Sequence, residues 1–193
     1  MTRESAGVLD ERDSHIKVKV AVIGRPASGK TAFINVLCGL DAASKYAPTW
    51  GIQVQQVEFP LKDTSENDCI RYMFWEVGGQ QAAKYAHMEP SCCDQASLVM
   101  HVVSMTDRAG FEEMAARVQS AASARSTLIV ATKQDNVAGW AIFPEELADL
   151  ASTYKAKVLY VGNPPETSRE GVPQFVNETY DAIVSLLTLP KTR

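Results

Sequence analysis

The chain has 193 residues, 46% hydrophobic and 22% charged, and a formal net charge of −4 from 19 basic and 23 acidic side chains. At about 150 residues per domain this is one globular unit with short tails, and its composition is that of a soluble domain with a buried core, which excludes collagen, small disulfide scaffolds and long repeat arrays. No run of five or six like charges occurs, so a broad nucleic-acid surface is not expected.

Residues 1–15 are polar and mixed in charge and read as a flexible tail. An apolar, alternating run then predicts a first buried strand over 16–23. A glycine-rich turn follows, and 30–38 reads as a helix with Ala32, Phe33, Val36 and Leu37 on one face, stopped at Gly39. Strands over 52–59 and 69–77, joined by a polar turn over 60–67, form a hairpin. Strands are expected at 98–103, 128–131 and 157–161, with helices at 111–124, 144–155 and 173–187. Pro144 and Pro173 suit first helical turns. Strands alternating with helices imply right-handed crossovers and a mostly parallel sheet covered on both faces. The expected architecture is therefore a three-layer α/β sandwich with one antiparallel hairpin at its edge and ligands at the carboxyl ends of the strands. The domain is expected to span 16–188, with 189–193 as a second tail.

Cys38, Cys69, Cys92 and Cys93 contain no CxxC pair and read as reduced thiols. The sequon Asn177-Glu178-Thr179 is discounted because 1–15 do not read as a secretory leader. No stretch reaches the 18 or more apolar residues of a membrane span. The chain starts Met1-Thr2 and ends Pro190-Lys191-Thr192-Arg193, which predicts no direct lipid anchor and a cytoplasmic location.

Chemistry enters with Gly24-Arg25-Pro26-Ala27-Ser28-Gly29-Lys30-Thr31, which fits G-x-x-x-x-G-K-[ST] between a predicted strand and a predicted helix. The loop glycines let backbone N–H groups of Pro26-flanking residues, Ala27, Ser28 and Gly29 surround phosphate oxygens at the positive end of a helix. Lys30 reaches the β and γ phosphates, and Thr31 offers a hydroxyl to Mg²⁺. After the strand at 128–131 stands Thr132-Lys133-Gln134-Asp135, a guanine-reading pattern. A carboxylate at Asp135 accepts from both the ring N1–H and the exocyclic amine, and the Lys133 stem covers the base. An ATP-dependent phosphotransferase on the same loop is the alternative that this second motif opposes.

Two further segments are Ala47-Pro48-Thr49-Trp50-Gly51 and Trp75-Glu76-Val77-Gly78-Gly79-Gln80. These four segments, in this order and spacing, resemble the small GTPases of the Ras, Rab and Arf superfamily over about 16–187. The resemblance implies a GTP/GDP switch with Mg²⁺ as cofactor. It implies that Thr49 binds Mg²⁺ and the γ-phosphate, that Gly79 contacts the γ-phosphate through its N–H, and that Gln80 orients the attacking water. Gln80 as a solvated helix-start residue remains the alternative.

Several positions depart from that pattern. Glu76 stands where the superfamily has Asp, and would hold Mg²⁺ through a water. Pro26 lacks an N–H near the γ-phosphate. Arg25 is either a charge supplied in cis or a solvated side chain. Where the superfamily has Ser-Ala-Lys, this chain has Gly162-Asn163-Pro164-Pro165, so either base affinity is reduced or Asn163 contacts the base through its side-chain amide. Trp50, Ile52 and Tyr85 are candidates for a partner surface, with Trp50 either exposed or packed under the sheet edge.

Within the superfamily, Thr49-Trp50-Gly51-Ile52-Gln53, Lys84-Tyr85-Ala86-His87-Met88 and Thr106-Asp107-Arg108-Ala109-Gly110-Phe111-Glu112 are similar to the Rem- and Rab-like GTPases of the ciliogenesis and planar polarity effector complex. That likeness implies a role at the ciliary base or basal body in assembling cilia and delivering intraflagellar transport proteins, with Inturned and Fuzzy homologues as partners. Two activities remain open, a switch with slow hydrolysis and a scaffold that holds GTP constitutively, and a Rab- or Arf-like trafficking GTPase unrelated to cilia is the alternative to the ciliary role.

Overall fold

The computed structural model describes residues 15–41, 48–60, 69–78, 86–121, 126–162 and 174–187. Six strands, β1 (His15–Ile23), β2 (Ile52–Pro60), β3 (Cys69–Val77), β4 (Leu98–Ser104), β5 (Ser126–Thr132) and β6 (Lys157–Val161), form one sheet in the order β2-β3-β1-β4-β5-β6. Every neighbouring pair is parallel except β2 and β3, so the expected antiparallel hairpin lies at the sheet edge. Among the described residues the helices are α1 (Lys30–Leu37), α2 (Glu89–Cys93), α3 (Arg108–Ala121), α4 (Pro144–Tyr154) and α5 (Gln174–Leu187).

Alternation along the central strands divides the core between two faces. Val18, Val20, Val22, Ile70, Tyr72, Phe74, Met100 and Val130 pack with Phe33, Ile34 and Leu37 of α1 and Tyr180 and Ile183 of α5. On the opposite face Val103, Ile129 and Ala131 meet Phe111, Met114 and Val118 of α3 and Leu147 of α4, while Ala21, Ile23 and Val99 meet Cys92 of α2. β4 is buried along its whole length, as a strand with helices on both sides must be. Tyr180 reaches through the first face to donate to the Leu37 carbonyl at 2.8 Å, which satisfies one of the free carbonyls at the end of α1.

The helix boundaries have local causes. α1 stops where expected: Gly39 takes φ 73°, its N–H donates to the Val36 carbonyl and that of Leu40 to Asn35, a Schellman closure. Its buried face contains Ile34 and not Ala32, because Phe33, Ile34 and Leu37 share the side that meets the sheet. α3 starts at Arg108, three residues before the expected start. Asp107 caps it, accepting from the Gly110 N–H at 3.0 Å, and Gly110 is tolerated in the first turn because a Cβ there would stand 2.5 Å from that same carboxylate. α4 begins at Pro144 as expected, with Glu146 folded back onto the Phe143 N–H, and closes on Lys155 at φ 54°. The short α2 and the 3₁₀ turns Ala86–Met88 and Val137–Gly139 were not expected; three to five residues are too few to show a period. The hairpin turn over 61–67, Pro173 and the 189–193 tail lie outside the described residues, and His15 opens β1.

His101 on β4 is 3% exposed, and its Nε2 has no hydrogen-bond partner among the described residues. Burial, reinforced by the Arg117 guanidinium, pushes the imidazole down to about 4. The unfolded chain takes that proton near pH 6.5 and the native state resists it, so stability is complete above about pH 6.5 and falls as pH drops toward 4. The loss across this window is about 3 kcal/mol. Urea midpoints measured at pH 7 and pH 4.5 should therefore diverge strongly in the wild type and much less in His101→Leu; parallel acid-side slopes would contradict the assignment.

Candidate functional site

The site collects the carboxyl ends of β1, β3 and β5 and the segment that enters β2. Gly24 follows β1 directly, and a Cβ there would lie 2.2 Å from the Val102 carbonyl oxygen of β4. The loop therefore leaves the sheet only through a glycine. Ala27 takes φ 56° and Gly29 φ 95°, and the Gly29 carbonyl accepts from Phe33 to begin α1. The first amides of that helix have no partner within it and face the loop. Pro26 and Ala27 are exposed at the tip, while Ser28 is buried and its Oγ has no hydrogen-bond partner among the described residues. Lys30 is 4% exposed and its Nζ donates to the Gly24 and Arg25 carbonyls, both at 2.9 Å. Burial holds its ammonium below the ordinary lysine range, with Glu76 opposing the shift.

Beside Lys30 three oxygens converge. Thr31 Oγ1 donates to Glu76 Oε1 at 2.7 Å, Thr31 and Thr49 hydroxyls share a hydrogen bond of 2.9 Å, and Thr49 Oγ1 lies 3.5 Å from the same Glu76 oxygen. Glu76 is 2% exposed, and burial raises its carboxyl above the usual range against the lowering by Thr31, Lys30 and Thr49. Its Oε2 is buried without a hydrogen-bond partner among the described residues. Thr31, Thr49 and Glu76 together are the all-oxygen donor set that a hard divalent cation takes, and the orphaned Oε2 leaves an acceptor for it or its water. The residues therefore fit Mg²⁺.

The segment carrying Thr49 is held by Gly78. A Cβ on Gly78 would stand 2.1 Å from the Thr49 carbonyl oxygen, and the Gly78 N–H donates to the Gly51 carbonyl at 2.8 Å, continuing the β2–β3 ladder by one pair. Trp50 is 56% exposed, so it is not packed under the sheet edge. Ile52 is half-buried at the start of β2. Gly79, Gln80 and Tyr85 lie outside the described residues.

At the end of β5 the Thr132 hydroxyl donates to the Ser28 carbonyl at 2.6 Å. Lys133 turns the chain at φ 58°, Gln134 donates to the Val161 carbonyl, and Asn136 closes the turn onto Lys133. Asp135 stands beside Gly162, where a Cβ would come 3.3 Å from its Oδ1. The two motifs that the sequence separates by about a hundred residues thus touch through one hydrogen bond. Asn163, Pro164 and Pro165 lie outside the described residues.

Arg25 is neither solvated alone nor aimed at the loop. Its Nη1 binds Asp107 at 2.9 Å and its Nε lies 3.6 Å from Glu113. Asp107 and its neighbours were missed as contributors to this site. The available signal was an Asp just after a buried strand and ahead of a helical run, the usual place of a helix cap that also faces a ligand edge.

Comparison with known proteins agrees with this geometry. The family described as Ras of Complex, Roc, domain of DAPkinase matches residues 19–135, more than half of the chain. The chain is 30% identical over 148 residues to Ciliogenesis and planar polarity effector 2 of Xenopus tropicalis, covering 74% of this chain and 58% of that one. It is 27% identical over 152 residues to the Homo sapiens protein of the same name, covering 76% and 59%. Intraflagellar transport protein 27 homolog of Trypanosoma brucei brucei is 24% identical over 148 residues, covering 74% and 78%. The chain thus spans less than two thirds of the length of the ciliogenesis and planar polarity effectors that it matches. No helix among the described residues is long and apolar enough to cross a membrane. A glycine loop opening a helix, a second motif braced against it and a sheet with a single antiparallel edge pair are the parts of one fold, and the chain belongs to the Roc/Ras-like GTPase domain family, a guanine-nucleotide-binding class.

Proposed function

We propose that this chain is a GTP·Mg²⁺-binding switch that hydrolyses GTP slowly. The carrying observation is the 2.6 Å bond from Thr132 to the Ser28 carbonyl, which ties the loop that would hold phosphates to the turn that would read the base. In this reading Gly24, Pro26, Ala27, Ser28 and Gly29 surround the phosphates, Lys30 neutralises them, Thr31, Thr49 and Glu76 hold the cation, and Thr132, Lys133, Asp135 and Asn163 receive guanine. Gly79 meets the γ-phosphate and Gln80 orients the water. Intrinsic turnover is expected on the order of 10⁻⁴ to 10⁻² per second.

The names of the relatives, which speak of ciliogenesis and of intraflagellar transport, support a ciliary setting; our reading within it is cilium and basal-body assembly, with delivery of intraflagellar transport proteins from the cytoplasm at the ciliary base. Effectors, Inturned and Fuzzy homologues among them, would dock on the surface around Trp50, Ile52 and Tyr85. No nucleic acid enters this reading.

One observation favours a second reading, a scaffold that holds GTP without useful turnover. Arg25 is engaged by Asp107 and Glu113, so it is not poised to supply a catalytic charge in cis. Single-turnover hydrolysis by the purified chain separates the two.

Asp135→Asn should shift preference from guanine to xanthine nucleotides, because an amide donates to the xanthine oxygen that replaces the guanine amine; Lys30→Ala should weaken all nucleotides alike. Fluorescent-nucleotide titrations check both, and GTP affinity unchanged in Asp135→Asn would defeat the base-reading assignment. Gln80→Leu should slow single-turnover hydrolysis at nearly unchanged GTP affinity; an unaltered rate favours the scaffold. Indole emission should differ between the GDP form and a non-hydrolysable GTP analogue, and the difference should vanish in Trp50→Phe while Trp75 and Trp140 remain. Identical spectra in both forms would leave the Trp50 segment without a nucleotide-dependent role.

A further inference from the structure

We propose that Glu76 binds the divalent cation directly, carboxylate oxygen to metal, in place of the water-mediated contact expected for the shorter aspartate; the inference rests on the nucleotide-site reading above. Mg²⁺ demands a near-ideal octahedron with bonds of 2.0–2.1 Å, so two adjacent ligand oxygens stand about 2.9 Å apart. The three oxygens here form a triangle with edges of 2.7, 2.9 and 3.5 Å. One face of such an octahedron is therefore nearly assembled by Thr31, Thr49 and Glu76 Oε1. A carboxylate acting through a water would stand about 4 Å from the metal, one metal–oxygen bond plus one short hydrogen bond away. The additional methylene of glutamate, about 1.5 Å of chain, closes most of the roughly 2 Å between that position and direct ligation.

Burial points the same way. Glu76 is 2% exposed, and two threonine hydroxyls on a single oxygen compensate little of the cost of an ionised carboxylate away from water. Lys30, the nearby cation, spends its ammonium on the Gly24 and Arg25 carbonyls. A metal bond to Oε1 supplies the missing charge, and Oε2, without a hydrogen-bond partner among the described residues, accepts from a water on the same metal. The two threonines and the glutamate leave one fewer coordination position for water than an aspartate would.

The test counts those waters. The full chain is loaded with Mn²⁺ and a non-hydrolysable GTP analogue, and the broadening of the manganese resonance in ¹⁷O-enriched water gives the number of bound waters. Glu76→Asp should bind one more water than the wild type. In the wild type, ¹³C-carboxyl-labelled glutamate should give a manganese–carbon coupling of a directly bound carboxylate, a measurement that needs no variant to fold. Equal water counts together with no such coupling, in protein that demonstrably holds the analogue, overturn direct ligation and leave the nucleotide reading intact. Failure of the wild type to bind the analogue in the presence of Mn²⁺ overturns both.

Discussion

A single missing Cβ sets the position of the whole site. β1 and β4 run side by side, and Gly24 leaves β1 so close to the Val102 carbonyl that any side chain would stand 2.2 Å from it. The loop that follows is therefore pressed onto the sheet and cannot lift away without breaking register. Thr132, from the next strand but one, then fixes the far side of the loop through the Ser28 carbonyl. Because β1, β4 and β5 are adjacent and parallel, their carboxyl ends lie in line, and two motifs distant in sequence become one continuous edge.

The electrostatics follow from that compaction. Lys30 and Glu76 are both nearly removed from water, and burial shifts each toward its neutral form while the other opposes it. Neither side chain is satisfied by the other alone: Lys30 turns to loop carbonyls and Glu76 to threonine hydroxyls. Groups held this way are sensitive to any charged ligand, since a phosphate would draw the ammonium from the carbonyls and a cation would relieve the carboxylate. Thr49 links this balance to the strand edge, because Gly78 permits the Thr49–Gly51 backbone to lie against β3.

The architecture was legible in the sequence wherever a period could develop. β3 and β6 appear with the bounds read from their apolar runs, and Pro144, Lys155 and Gly39 mark real helix ends. Failures fall on short or competing signals. The apolar period shows only from Phe111, although the helix starts at Arg108 and Asp107 caps its first turn, and α2 is too short for periodicity. For the site, residue types and spacing named the loop and the turn after β5. They did not reveal that Thr132 touches Ser28, that Arg25 is bound by Asp107, or that Glu76 reaches both threonines, since each depends on which strands are neighbours and how closely they approach.

The Arg25 contacts extend the site in a direction that the motifs do not indicate. Arg25 meets Glu113, Glu113 meets Arg117 at 2.8 Å, and Arg117 also pairs with Glu89 at the start of α2. Individually these half-exposed pairs contribute little to stability. As a connected series they join the glycine loop to α3, and α3 to the first residue of α2, the element that follows the segment carrying Gly79 and Gln80. Arg25 links this series to the loop, so a shift of the loop backbone alters its reach to Asp107 and Glu113 together. Arg117 in turn divides its guanidinium between the two helices. The geometry therefore gives α2 a polar contact with the loop that bypasses the sheet, beside the apolar one in which Cys92 packs on Ala21, Ile23 and Val99. Of these two, the polar path tolerates rearrangement: ion pairs at a half-exposed surface exchange partners at small cost, whereas a close-packed apolar contact resists displacement.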